Sequence, residues 1–461
     1  VSSRRLSVLV LTTLSLIAAC HPASRPGSGS APRDPAPLPA NGSGASDQTS
    51  EVPPPPPPLS ADEVPAVDAT SRSLPELGAF YEKLEALRHG KAQDRPLRVL
   101  WMGDSHTSAD FLTHRVRAHL QGLVGDGGPG FLRLGLEAYR HEAASFELTG
   151  RFRHEPVLPA QRTRVKDGVF GYGGIRTLPQ AGARVRVSVR SSSAAGAGSG
   201  AVSAGATGSL RWRLSYRLPE GAAIDVRVGQ TERRLSSSGG ERAEGSAPLT
   251  ADFEGGAAEA FELAHVAGAP EIFGVFAERA ASGLVLDTVG IDGARAATPL
   301  AWAPEQFERA VAERSPALLV LSYGTNEVFD KGRVDQYAEH TLALIERVRA
   351  GAGPIPCWVI GPMDASAPGG QSRPRVSEVS LAQADAARQA GCAFTSAQAV
   401  MGGEGSFARW TTQRPQLART DGIHLTIAGY RQLGDLLAEK LVTLASPAIE
   451  SPTLQPQALQ P

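Results

Sequence analysis

The sequence predicts an α/β protein: a three-layer α/β/α core on a parallel sheet, with an inserted antiparallel β domain. Three observations carry that reading. Short apolar runs alternate with amphipathic helical stretches on either side of the chain's middle, the rhythm of a parallel sheet covered on both faces. The middle, about 151–282, instead shows two-residue alternation broken by Gly/Ser/Ala loops, as antiparallel strands do. The residues before the first helix hold too little apolar surface to build a core.

In chain order, residues 1–20 read as an export signal. Arg4 and Arg5 precede a short apolar run, Leu6 to Ala19, that ends in Ile17-Ala18-Ala19-Cys20. The run is too short to span a bilayer comfortably. Small residues before Cys20 resemble a bacterial lipobox, which implies lipidation of Cys20; ordinary cleavage beside an incidental cysteine is the alternative. His21 follows Cys20, not the Asp of inner-membrane retention, so the expected place is the periplasmic face of the outer membrane. Residues 21–73, with the run Pro53 to Pro58, read as a disordered tether carrying a stiffer polyproline piece.

The first part of the core is expected over 74–150. Leu77, Phe80, Leu84 and Leu87 fall on one helical face, with Gly90 as the stop. Leu97 to Met102 is a strand running into Gly103, and Phe111, Leu112, Val116, Leu120 and Leu123 mark the helix after it. The inserted β-sandwich or jelly roll covers 151–282, with alternating runs such as Val185 to Val189 and Leu210 to Leu214. The core resumes over 283–445 with strands at Leu284–Val289, Ala317–Leu321, Cys357–Ile360 and Cys392–Phe394. Helices are expected near Pro304–Glu313, Val334–Ala350, Leu381–Ala390 and Ile427–Leu444, before a disordered tail at 446–461. Cys357 and Cys392 open strands read as neighbours, so they form a disulfide or remain two buried thiols.

The net charge is −1 with no basic block, which argues against nucleic acid as a partner. No Cys/His spacing suits a metal, and neither a metal nor an organic cofactor is expected.

Three short motifs sit at carboxyl ends of strands or before the last helix, where α/β folds place their sites. They are Gly103-Asp104-Ser105-His106, Gly324-Thr325-Asn326-Glu327 and Asp421-Gly422-Ile423-His424-Leu425-Thr426. Each alone is an ordinary turn or helix entry. Together they supply an acyl-transfer site. Ser105 is the nucleophile, His424 its base, and Asp421 the group that orients the imidazole. Asn326 offers a side-chain N–H to an oxyanion. His106 and Asp110 could touch substrate, although orienting the first helix suits them better. Trp410 is a pocket wall or a half-buried aromatic, and Gly171-Tyr172-Gly173-Gly174 a sugar-contacting loop or a plain turn.

These blocks resemble those of the SGNH/GDSL hydrolases. In that resemblance the second block is Gly290-Ile291-Asp292-Gly293-Ala294, and the oxyanion hole comprises the N–H groups of Ser105 and Gly293 with the Asn326 side chain. A turn glycine's role could equally fall to Gly290. The variant motifs, with Gly125-Asp126-Gly127-Gly128-Pro129-Gly130-Phe131, resemble bacterial peptidoglycan O-acetylesterases, where a β domain akin to carbohydrate-binding modules interrupts the core. Asp292 departs from that group's Asn and adds negative charge beside the oxyanion hole. The resemblance implies an esterase acting on O-acetyl groups of peptidoglycan or another cell-wall polysaccharide. An O-acyltransferase, an esterase for other glycans or lipids, and a non-catalytic glycan-binding lipoprotein are the alternatives.

Overall fold

A computed structural model describes residues 74–91, 95–157, 165–190, 208–237, 247–257, 259–279 and 282–442. The export signal, Cys20, the tether and the C-terminal tail lie outside the described residues.

A 3-10 turn at Pro75–Leu77 leads into helix α1, Gly78–Arg88. Its buried face is Leu77, Phe80, Leu84 and Leu87, and Gly90 leaves the helix at φ 72°, a conformation that favours glycine. Five parallel strands follow along the chain: β1 Leu97–Gly103, β2 Leu284–Gly290, β3 Leu318–Ser322, β4 Cys357–Gly361 and β5 Ala393–Ser396. Their order in the sheet is β2-β1-β3-β4-β5. Leu97 pairs with Leu284 and Gly103 with Gly290, so β1 and β2 end level. Every residue of β2 and β4 is buried, as strands covered on both faces require.

The helices are α2 Ser105–Ser108, α3 Phe111–Val124, α4 Pro304–Arg314, α5 Thr325–Val328, α6 Asp335–Ala352, α7 Arg375–Gln389, α8 Ala397–Val400, α9 Ser406–Thr412 and α10 Ile427–Val442. One apolar cluster joins α1, α3 and α10 to one face of the sheet through Leu84, Val116, Trp101, Trp358 and Leu437. A second joins α4 and α6 to the other through Val311, Leu344, Leu100 and Val359. This is the expected three-layer class. Cys357 and Cys392 are joined in a disulfide beside the paired strands β4 and β5.

Between β1 and β2 lie two antiparallel sheets. One orders Leu249–Gly255, Leu210–Arg217, Glu271–Arg279, Ile175–Pro179 and Phe152–Pro156, with Gly130–Leu132 also pairing to Glu271–Arg279. The other orders Ala144–Thr149, Arg184–Val189, Phe261–Ala267, Ala223–Val228 and Thr231–Ser236. Their inner faces meet in one cluster that includes Val185, Trp212, Val226, Phe261 and Val275. Trp212 stacks on Phe261 across the two sheets at 5.6 Å. Strand pairing in this part begins at Gly130, ahead of the expected start at Arg151.

Among the described residues no helix is long and apolar enough to cross a membrane.

Candidate active site

The turn that carries Ser105 is shaped by Gly103. A Cβ there would lie 2.7 Å from the Ser322 carbonyl oxygen and closer still to the Thr107 hydroxyl. The chain therefore turns tightly off β1. Asp104 is extended and caps α2, its Oδ1 accepting from the His106 N–H at 3.0 Å. Ser105 opens α2 half-buried; at a first helical position its N–H has no acceptor within the helix.

The loop before α10 brings the base to it. Ser105 Oγ lies 3.4 Å from His424 Nε2, and His424 Nδ1 lies 2.9 Å from Asp421 Oδ2. The other Asp421 oxygen accepts from the N–H groups of Ile423 and His424, each at 2.9 Å. Burial pushes the Asp421 carboxyl up, but these N–H groups and the imidazole outweigh it and hold it below the usual carboxylate range. An ionised carboxylate only accepts, so Nδ1 carries the proton and Nε2 turns its lone pair to Ser105. Thr426 receives the Gly429 N–H on its hydroxyl at 3.1 Å and so caps α10. The site is open: the side chains of His424 and Asp421 are 39% and 41% exposed.

The second and third blocks converge on the same end of the sheet. Gly290 cannot carry a side chain, because its Cβ would sit 2.3 Å from the Ser108 nitrogen in α2. Gly293 differs. It lies in an exposed turn at φ 73° with open space where a Cβ would be. The two glycines thus separate into one that admits the nucleophile turn and one that faces solvent. Asn326, in α5, donates from Nδ2 to the Ala294 carbonyl at 2.9 Å, which fixes its amide plane and leaves a second N–H. Asp292 is exposed and accepts from the Ser108 hydroxyl at 2.6 Å. Its carboxylate is thereby tied to the nucleophile turn.

The remaining sequence candidates divide. His106 is buried, its Nδ1 2.8 Å from the Tyr430 hydroxyl and its ring 5.5 Å from that of His424. Burial, with the neighbouring His424, pushes it down to about 3, so it backs the base as a neutral ring. Asp110 holds α3 in place: it accepts from Thr113 at 2.6 Å and from both Arg117 Nη1 and Nη2. Trp410 is fully buried in the core on α9, so it is neither a pocket wall nor half-buried; α9 turns it inward. The Gly171–Gly174 turn is packed, with Tyr172 buried against Phe131 and Phe276.

Two carboxyls escaped the sequence reading. Burial pushes Asp104 up to about 7, against the His106 N–H and assisted by Glu327. Burial likewise pushes Glu327 up to about 7, against the Ala296 N–H. Their place inside the Gly-Asp-Ser and Gly-Thr-Asn-Glu blocks was the available signal.

Comparison with known proteins places the chain as follows. Residues 256–432 match the model of the GDSL-like Lipase/Acylhydrolase family. A solved peptidoglycan O-acetylesterase shares 24% identity over 79% of this chain and 95% of its own, with a TM-score of 0.63. A salicylyl-acyltransferase from a tetracycline biosynthetic pathway shares 13% over 65% and 94%, with a TM-score of 0.29. A family two carbohydrate esterase from Cellvibrio japonicus shares 8% over 65% and 97%, with a TM-score of 0.26. No curated protein matches the chain.

Proposed function

We propose that this chain, a carboxylic ester hydrolase with a GDSL-like acylhydrolase region at residues 256–432, removes O-acetyl groups from a cell-wall polysaccharide through an acyl-enzyme on Ser105. The observation that carries the mechanism is the run of contacts Ser105–His424–Asp421 at 3.4 and 2.9 Å. The first distance is long for a hydrogen bond, and such contacts commonly tighten only as the transition state forms.

In the first step Ser105 Oγ bonds to the ester carbonyl carbon and its proton passes to His424 Nε2. The carbonyl oxygen becomes an oxyanion that the Ser105 and Gly293 N–H groups and the Asn326 amide stabilise. The C–O bond to the sugar breaks, and His424 returns the proton to the sugar oxygen. Water, deprotonated by His424, then attacks the acetyl-Ser105 ester; acetate leaves and Ser105 regains its proton. Asp421 stabilises the imidazolium formed in each half.

Three features support the substrate class. The exposed triad suits a small acyl group carried on a bulky polymer. One solved structure that shares the fold is named a peptidoglycan O-acetylesterase. The Ile17-Ala18-Ala19-Cys20 run and the Pro-rich residues after it suit a lipid-anchored form at the periplasmic face of the outer membrane. Acetate release from O-acetylated peptidoglycan, set against acetylated xylan, tests the substrate: faster release from xylan overturns the cell-wall assignment. Cys20→Ser should move the protein from the membrane to the soluble fraction, and retention at the membrane overturns the anchor.

A further inference from the structure

A cavity of about 270 Å³ lies where the inserted sheets meet the core, and none of Ser105, Asn326, Asp421 or His424 lines it. It flanks the opposite end of β1 from the nucleophile: Arg95, Pro96 and Arg98 line it, whereas Ser105 follows Gly103. A seven-residue strand separates the two by about 20 Å. Its walls come from α4 on one side and from Leu210–Arg217 and Glu271–Arg279 on the other.

Among the described residues seven arginines and two glutamates line it; Asp252, Asp126 and Asp287 behind the wall pair with Arg213, Arg279 and Arg314, which leaves Arg95 and Arg211 as its loosely held cations. Both glutamates are engaged: Glu278 pairs with Arg98 and Arg314, and Glu313 with Arg309. Arg211 is exposed and has only a loose partner, Glu254 at 3.9 Å. Arg279 is buried; its Nε meets Asp126 at 2.9 Å, yet among the described residues its Nη1 has no hydrogen-bond partner. A buried guanidinium N–H left unpaired is costly, and an oxyanion would satisfy it. The same wall is apolar in part: Tyr172 and Phe276 line it beside Val169 and Pro248. Fork-shaped donors beside flat apolar surface recognise a carboxylate on a saccharide, one face hydrogen-bonded and the other packed. The volume lies near the low end for ligand pockets, enough for one such unit.

We infer that this cavity is a second, non-catalytic binding site for a carboxylate-bearing sugar unit of an acidic glycan. It rests on the proposed function in one respect: the glycan held here is the polymer whose acetyl groups Ser105 removes. Engagement about a strand length from the triad lets one polymer be held while its esters are sampled, which raises the local concentration of substrate.

Calorimetry with a soluble, de-O-acetylated peptidoglycan fragment stripped of its stem peptides, so that the carboxylates on its sugars are free, tests this on the full chain. The parent should bind it, more weakly as salt rises. Arg95→Glu/Arg211→Glu alters exposed side chains and should weaken binding by about tenfold or more with an unchanged melting temperature. Neutral N-acetylglucosamine oligomers should bind far more weakly than the acidic fragment. Binding equal in parent and variant overturns the site, as does a parent that binds nothing. Inorganic phosphate bound as tightly as the fragment overturns the glycan assignment. Turnover of a small aryl acetate by the parent tests the esterase reading separately, since it needs no contact with this cavity.

Discussion

At the scale of single residues the chemistry concentrates in a few atoms. Ser105 Oγ is the only proposed bond-forming atom of the chain, so Ser105→Ala should keep the fold and lower small-ester turnover by about a thousandfold or more. Near-parental turnover in pure protein removes Ser105 from the mechanism. Asn326 is held by the Ala294 carbonyl and, in the proposed mechanism, acts on charge that exists only in the transition state. Asn326→Ala should therefore lower kcat by roughly two to three orders of magnitude with KM less affected. A rise in KM alone would make Asn326 a substrate-binding residue. Asp104 has a different task. With its carboxyl at about 7 in the fold against about 4 when unfolded, the folded state holds the proton more tightly. Its contribution to stability is complete at acid pH and is lost as pH rises from about 4 through 7. Asp104→Asn keeps an oxygen for the His106 N–H and removes the charge. Its melting temperature relative to the parent should be higher at pH 8 than at pH 5. An equal difference at both would mean that the carboxyl is not raised.

At the scale of elements, the disulfide ties the β4 end of the sheet to the chain entering β5. Cys357 and Cys392 are 35 residues apart, and closing such a loop limits the unfolded chain. Replacing both by alanine should cost about 3 to 4 kcal/mol, read from denaturant unfolding under non-reducing conditions; a cost below about 1 kcal/mol would leave the bond without a stabilising role. The elements differ in how legible they were. Strands such as Cys357–Gly361, which is apolar throughout, and long helices such as Asp335–Ala352 announce themselves through runs and periodicity. The four-residue helices α2, α5 and α8 do not, because one turn has no period. Trp410 was misjudged because α9, Ser406–Thr412, went unread; once helical, it turns the indole into the core. The blocks that come together around Ser105 were legible because each is local, four to six residues long. Asp104 and Glu327 were not: a carboxyl's pKa depends on burial, which only the packed chain defines.

At the scale of the whole molecule, one ionic cluster joins the insertion to the core. Glu278, on the insertion strand Glu271–Arg279, binds Arg98 of β1 through two contacts of 2.7 Å and also pairs with Arg314 at the end of α4. Arg314 in turn meets Asp287 of β2 at 2.5 and 2.9 Å. Burial pushes the Glu278 carboxyl up, but Arg314 and Arg98 outweigh it and bring it down to about 2. A depressed carboxyl stabilises the fold above its unfolded value of about 4.5, and that stability is lost as pH falls toward 2. Glu278→Gln leaves the seam arginines short of a counter-charge. It should cost about 3 kcal/mol at neutral pH, as removing one member of a buried pair does, and should flatten the loss of stability between pH 4.5 and 2. A variant as stable as the parent at pH 7 would show that the seam is held by apolar packing alone. The same variant asks whether the seam reaches the chemistry. Asp287 and Gly290 lie on one strand, and Gly290 packs against the nucleophile turn at Ser108. Measured well below its melting temperature, small-ester kcat should stay within about threefold of the parent, since no triad contact involves Glu278 and distant sites act independently. A larger fall in folded protein would mean that β2 transmits the position of the insertion to Ser105, and the insertion would then be a structural support of the proposed nucleophile.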